Sequence, residues 1–203
     1  AALLELQAAF SVNLTPSHNP LDYGGYKFNA ADGGPAAAEL TAIITQKSRE
    51  RVDAQVKGEE DHVQPRGALV ETDSFALWQR LVDNNRDTHR LDYRSLLDQA
   101  AAHRDMDIVI DSVHGASRLH IERLLGPAAV NLVHLRGDSD VTFGGIAPEP
   151  SSENMSRVTQ RLKDSSKKLK IGAIIDPDAD RIRFTDGDTE ISMNQFGAMA
   201  YHF

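Results

Sequence analysis

Cysteine is missing from all 203 residues. That excludes a disulfide framework, a thiolate metal site and a cysteine nucleophile, and makes a reducing cytoplasm the default location. Charge of one sign is also lacking: 22 Lys and Arg stand against 30 Asp and Glu, a net −8 with no long basic run. This mildly acidic balance argues against a nucleic acid or an anionic membrane surface as the main partner. The longest uncharged stretches are broken by Asn, Ser, His and Pro, so no run of 18 apolar residues exists to span a bilayer. Nor is there an initiating Met or the basic start of a signal peptide: the chain begins at Ala1, inside an apolar helix-like run reaching Phe10. It stops in another apolar-rich run, Phe196 to Phe203, and both ends read as cut.

What is present is an ordinary globular composition, 40% hydrophobic with 14 glycines, enough to build a core. At ~150 residues per domain the length allows one or two. Leu3, Leu4, Leu6 and Phe10 suggest an opening helix, and Ser11 to Leu14 is β-compatible. Pro35 suits the first position of a helix carrying Leu40, Ile43, Ile44 and Val52 on one face. Lys57 to Gly67 is polar and aperiodic, an exposed connection. Ser74 is placed to cap a helix whose inner face holds Phe75, Trp78, Leu81 and Val82; Asp92 caps another with Leu96, Leu97, Ala100 and Ala101.

From there strands and helices alternate: strand Asp107 to Val113, helix Ser117 to Leu125 stopped by Gly126-Pro127, strand Val130 to Leu135, helix from Ser152 with Met155, Val158 and Leu162, strand Lys170 to Ile175. Such alternation implies a mainly parallel sheet with helices on its faces. Asp186-Gly187 signals a two-residue hairpin between Ile182 to Thr185 and Thr189 to Ile191. The expected class is α/β: two α/β domains with mainly parallel mixed sheets flanked by helices. Their boundary falls between Asn84 and Asp107, giving domains 1–90 and 91–203.

Two loops carry chemistry. In Thr15-Pro16-Ser17-His18-Asn19-Pro20 a serine between prolines presents its hydroxyl from a stiff backbone, as a phosphoryl carrier or nucleophile would. His18 and Asn19 can donate to anionic oxygens, and Lys27 follows as a mobile ammonium. A plain proline-flanked turn is the competing reading. In Asp176-Pro177-Asp178-Ala179-Asp180-Arg181 three carboxylates alternate directly after an apolar strand. Curled, they offer the hard oxygen ligands that Mg²⁺ accepts, and their mutual repulsion calls for a cation or an arginine. A calcium loop of the EF-hand type fails twice, needing Gly where Arg181 stands and Glu where Gly187 stands. A phosphatase-type Asp-x-Asp nucleophile and a solvated acidic turn both remain compatible with the spacing. The carboxyl end of a strand in a doubly wound sheet is where ligands bind.

Taken together, Thr15 to Pro20, Gly24-Gly25-Tyr26-Lys27-Phe28-Asn29 and Gly33-Gly34-Pro35-Ala36 resemble the phosphoserine segment of the α-D-phosphohexomutase superfamily, bacterial phosphoglucomutases most of all. Asp111-Ser112-Val113-His114-Gly115 and Pro148-Glu149-Pro150 with Glu153-Asn154 resemble that family's second domain, and Asp176 to Arg181 its metal loop. The resemblance spans nearly the whole chain, as the end of the first domain and the second domain of a four-domain enzyme.

The resemblance implies that Ser17 is the phosphorylated serine. It implies that Asp176, Asp178 and Asp180 hold Mg²⁺ with the serine phosphate, that Lys27 is the general acid/base, and that His18 supports proton transfer. Asn19 and Arg181 would contact phosphate. The implied reaction interconverts glucose 1-phosphate and glucose 6-phosphate through a hexose bisphosphate, with the remaining domains of the same enzyme choosing the sugar; the fragment alone would turn over little. Phosphomannomutase and phosphoglucosamine mutase are the alternatives within the family, and a non-catalytic Mg²⁺-binding or interaction module the alternative outside it. Pro177 stands where many members have Gly, stiffening the loop. His103, His114, His120 and His134 show no ligand spacing, Trp78 and Phe75 read as core, and Asp138 and Asp140 suggest no role.

Overall fold

The computed structural model describes residues 1–20, 22–59 and 67–202. Most of the predicted connection Lys57 to Gly67, and Phe203 of the last apolar run, lie outside the described residues. The chain divides into two compact units, one of residues 1–14 and 26–89, the other of residues 15–25 and 90–203. No helix among the described residues is long and apolar enough to cross a membrane.

In the first unit a short helix α1 (Ala2–Glu5) precedes the antiparallel strands β1 (Phe10–Leu14) and β2 (Tyr26–Ala30), on which the Phe10 and Phe28 rings stack 5.1 Å apart. Helices α2 (Ala38–Val56), α3 (Ser74–Asn84) and α4 (Arg86–His89) follow. Pro35 does not open α2. It bridges to Asn29, and Ala36 N–H donates to Phe28 O, so the backbone stays extended until Ala37. The stripe of α2 expected to face inward is largely exposed: Leu40, Ile43 and Val52 face solvent and Ile44 is partly buried. Asp73 caps α3, not Ser74, since its carboxylate takes the Phe75 and Ala76 N–H groups. Phe75 and Leu77 are buried with Leu3, while Trp78 is half-buried with its ring 5.6 Å from Phe75.

The second unit is a five-stranded mixed sheet in the order β4-β3-β5-β6-β7, comprising β3 (Met106–Asp111), β4 (Leu132–Leu135), β5 (Leu169–Ile175), β6 (Ile182–Thr185) and β7 (Glu190–Ile191). Strands β4, β3 and β5 run parallel; β6 and β7 pair antiparallel at one edge. Its helices are α5 (Tyr93–Ala102), capped by Asp92 as expected, α6 (Ile121–Leu125), α7 (Ser152–Lys163) and α8 (Met193–His202).

The two-residue alternation of β3 and β5 sorts the core into two layers. Met106, Ile108, Ile110, Ala173 and Ile175 pack with Ile121 and Ala128 on one face. Val109 and Ile174 pack with Met155, Val158 and Leu162 of α7 on the other. Gly172 permits that second contact, because a Cβ there would lie 2.5 Å from Val158 Cγ1.

Three local expectations change. Residues Ala116–Leu119 form a 3₁₀ turn ahead of α6. Val130 belongs to a second one, Gly126–Asn131, whose Asn131 amide caps α5 by donating to Ala100 O and His103 O. The hairpin loop is four residues long, Thr185 pairing with Glu190, because the Asp186 carboxylate accepts from the Asp188 and Thr189 N–H groups.

Candidate active and metal site

The carboxyl ends of the parallel strands β3, β4 and β5 lie side by side, and each releases a loop. The loop after β5 carries the three aspartates. Ala179 N–H donates to Asp176 O and Asp176 N–H to Arg181 O, closing a tight turn with Ala179 at φ 61°. The turn gathers one oxygen from each of Asp176, Asp178 and Asp180 within 4.8 Å of one another.

Asp176 is fully buried. Its Oδ1 accepts from the Asp180 and Arg181 backbone N–H groups at 3.0 Å each, while the buried Oδ2 has no hydrogen-bond partner. Burial, aided by Asp178 and Asp180 and opposed by the Arg181 N–H, pushes the carboxyl up to about 6. An orphaned, buried, hard oxygen beside two further carboxylates suits a small divalent cation such as Mg²⁺, which would supply the missing partner.

The Ser17 loop belongs to the same unit as these aspartates. Thr15 N–H donates to Gly25 O, closing the loop's base, where a Cβ on Gly25 would meet Thr15 O at 2.9 Å. Thr15 Oγ1 accepts from Ser17 N–H at 2.8 Å and donates to Asp178 Oδ2 at 3.2 Å. Ser17 sits in the left-handed region at φ 58°, a strained conformation for serine, and its hydroxyl donates to Asp178 Oδ1 at 3.4 Å. His18 Nδ1 lies 3.4 Å from Ser17 Oγ, and its Nε2 accepts from Arg181 Nη1 at 3.2 Å. Arg181 Nε is 3.9 Å from Asp180 Oδ1. Ser17, His18, Asp176, Asp178, Asp180 and Arg181 are thus brought together. Asn19 stands exposed, its N–H donating to Pro16 O. Lys27 lies on β2, in the first unit.

Sequence reasoning missed the residues that hold this arrangement. At the end of β3 the fully buried Asp111 receives Arg136 Nε at 2.8 and 2.9 Å and Nη2 at 2.6 Å, with Val113 N–H at 2.9 Å. Arg136 Nη1 reaches Asn154 Oδ1, whose amide donates to Ala147 O and Glu149 O. Three non-glycine residues here, Val113, His114 and Arg136, have positive φ, and the buried ion pair holds them there. The loop so formed presses on the aspartate turn. Ala116 N–H donates to Pro177 O at 2.7 Å, and a Cβ on Gly115 would lie 2.4 Å from Pro177 Cα. Asp111, Gly115 and Asn154 stand in the motifs noted above, but Arg136 carries no local signal.

The family profile described as phosphoglucomutase/phosphomannomutase, alpha/beta/alpha domain I, matches residues 1–54, and that of domain II matches residues 89–189. The chain belongs to the phosphohexomutase superfamily. It is 28% identical over 182 residues to a protein named as a probable phosphoglucosamine mutase from Methanothermobacter thermautotrophicus, covering 89% of this chain and 36% of that one. A phosphoglucomutase of Komagataeibacter xylinus is 27% identical, with 88% of this chain and 32% of that protein covered. A crystal structure described as that of a putative phosphomannomutase from Thermus thermophilus superposes with a TM-score of 0.66 at 25% identity, covering 99% of this phosphohexomutase chain and 43% of its own. The chain therefore spans about a third of the length of the curated relatives it matches.

Proposed function

We propose that the enzyme to which this phosphohexomutase chain contributes interconverts hexose 1-phosphates and 6-phosphates, glucose phosphates first, with Ser17 as the phosphoryl carrier. The observation that carries this reading is the 3.4 Å approach of the Ser17 hydroxyl to Asp178, within a turn of three clustered carboxylates. A lone acidic turn or a binding-only module has no use for a strained serine at that position.

In the proposed reaction the P–Oγ bond of phosphoserine breaks as a bond forms between phosphorus and a sugar hydroxyl oxygen. The bond's electron pair remains on Oγ. The proton that leaves the hydroxyl goes to the general acid/base, and one proton returns to Ser17 Oγ, so none is gained or lost overall. The bisphosphate formed reorients, and its other phosphate returns to Ser17. Asp176, Asp178 and Asp180 would hold Mg²⁺, which supplies positive charge to offset the phosphoryl oxygens. Lys27 as general acid/base and Asn19 as a phosphate contact rest on the family resemblance alone. Arg181 brings a guanidinium to the same side as Ser17. Thr15 holds the serine backbone and Asp178 in register, so the carrier is positioned before substrate arrives. Sugar choice is assigned to the domains of the same enzyme outside this chain, and the work is placed in the cytoplasm. Relatives named as phosphoglucosamine mutase and as phosphoglucomutase match about equally, so glucosamine phosphate is the second candidate.

The test is incubation of the chain with ³²P-labelled hexose bisphosphate and Mg²⁺, followed by phosphopeptide mapping. Label on the peptide holding Ser17, absent from Ser17→Ala, supports the reading. Label on any other residue, or equal label in Ser17→Ala, overturns it.

A further inference from the structure

Resting on the reading of Ser17 as carrier, we infer that Arg181 acts as a positioning residue. It sets the tautomer of His18, so that His18 is a hydrogen-bond donor to Ser17 Oγ and not its base.

A guanidinium has five N–H donors and no acceptor. Arg181 Nη1 lies 3.2 Å from His18 Nε2, so Nε2 must present its lone pair. The single ring proton then resides on Nδ1, the atom 3.4 Å from Ser17 Oγ. A serine oxygen facing an N–H accepts, which leaves its own proton for another partner. Asp178 Oδ1, an obligate acceptor when ionised, stands at 3.4 Å on that oxygen. The chain of bonds therefore has one direction: Arg181 to His18 to Ser17 to Asp178.

With Nε2 occupied and Nδ1 carrying the proton, His18 has no lone pair to offer the serine. What it offers is a fixed donor aimed at the oxygen on which negative charge develops when the P–Oγ bond breaks. No proton needs to leave the ring for this, and none is transferred. Asp178 cannot replace it, because a carboxylate repels that charge. A donor aimed in advance at a developing oxyanion is worth about 10²- to 10³-fold in rate. Arg181 thus contributes through the imidazole as well as by its own charge. The same pairing explains why His18 is oriented although it sits on a turn: its ring is held at both nitrogens.

The tautomer is directly measurable. Long-range ¹H–¹⁵N correlation spectra of the ¹⁵N-histidine-labelled, metal-free chain, with His18 assigned by a His18→Asn variant, are expected to show a protonated Nδ1 and an unprotonated Nε2. Arg181→Met should shift His18 toward the Nε2–H form by several-fold, whereas Arg181→Lys, which retains a donor, should keep the Nδ1–H form. An Nε2–H or doubly protonated ring in the native chain overturns the inference, as does an unchanged spectrum in Arg181→Met. A merely structural role for Arg181 would not exchange the tautomers. Labelling of Ser17 by ³²P-hexose bisphosphate separates the two ideas. Normal labelling with an Nε2–H ring leaves the carrier and removes the relay; label on a residue other than Ser17 with an Nδ1–H ring removes the carrier and leaves the pairing.

Discussion

Two opposed demands meet on the carboxylate of Asp176. Burial and two neighbouring carboxylates raise it to about 6, yet a cation needs it ionised. The unfolded value is about 4, so the folded chain holds this proton more tightly than the unfolded one. The stability this confers is fully present below pH ~4 and is lost as pH rises through about 6. Without metal at pH 7 the ionised Asp176 therefore costs stability. Asp176→Asn keeps an acceptor for the Asp180 and Arg181 N–H groups and removes the charge. Its metal-free melting point should exceed that of the native chain at pH 7, the gain vanishing toward pH 4. Addition of Mg²⁺ should raise the native melting point and leave that of the variant unchanged. Thermal scans with and without Mg²⁺ at both pH values check each sign; equal Mg²⁺ response in both proteins would remove Asp176 from the metal set.

Between residue and domain, the telling element is the loop after β3. Its backbone is bent into positive φ at Val113 and His114 and held by the Asp111–Arg136 pair, and its far end leans on Pro177 through Gly115 and Ala116. One loop thus braces another that carries the aspartates. Gly115→Ala places a methyl 2.4 Å from a backbone atom, so Pro177 or the loop must move. Forcing extra carbon into a packed contact costs about 1–3 kcal/mol. We expect Mg²⁺ affinity, measured by titration calorimetry, to fall roughly 10-fold or more while the far-ultraviolet circular dichroism spectrum is retained. Unchanged affinity would show that the brace does not set the carboxylates. The same element explains the limits of reading by pattern. Asp92, Met155, Val158 and Leu162 were legible because a cap and a helical stripe are local signals. The partnership of Asp111 with Arg136 joins residues at the ends of different strands, and neither has periodicity to betray it.

For the whole molecule, the division of the chain matters more than its length. Residues 15–25 group with residues 90–203, so the serine loop and the aspartate turn share one unit although more than 150 residues separate Ser17 from Asp178. The only Trp in the sequence, Trp78, lies in the other unit, beside Phe75. A ligand that binds only the folded second unit stabilises that unit, by about 2.7 kcal/mol at one hundred times its dissociation constant. Mg²⁺ should therefore shift the melting transition seen by circular dichroism and leave the Trp fluorescence transition where it was. Two separable transitions are expected, and a single one moving equally in both signals would count against metal binding confined to the second unit.

The sequence by itself determined the α/β class, the alternation of the second unit, the Asp92 cap and the chemistry available in two short loops. Each of these depends on residue type, spacing or a rigid proline, and such signals act within a few positions. It also carried the resemblance that the family profiles match. Tertiary structure decided the rest: that Asp176 is buried with one oxygen unpartnered, that Thr15 and Ser17 reach Asp178, and that Arg181 faces His18. It decided too that the apolar stripe of α2 stands exposed and that Pro35 pairs with Asn29 instead of opening a helix. Burial, orphaned atoms and donor–acceptor direction are properties of neighbours distant in sequence, and only the folded chain brings those neighbours together.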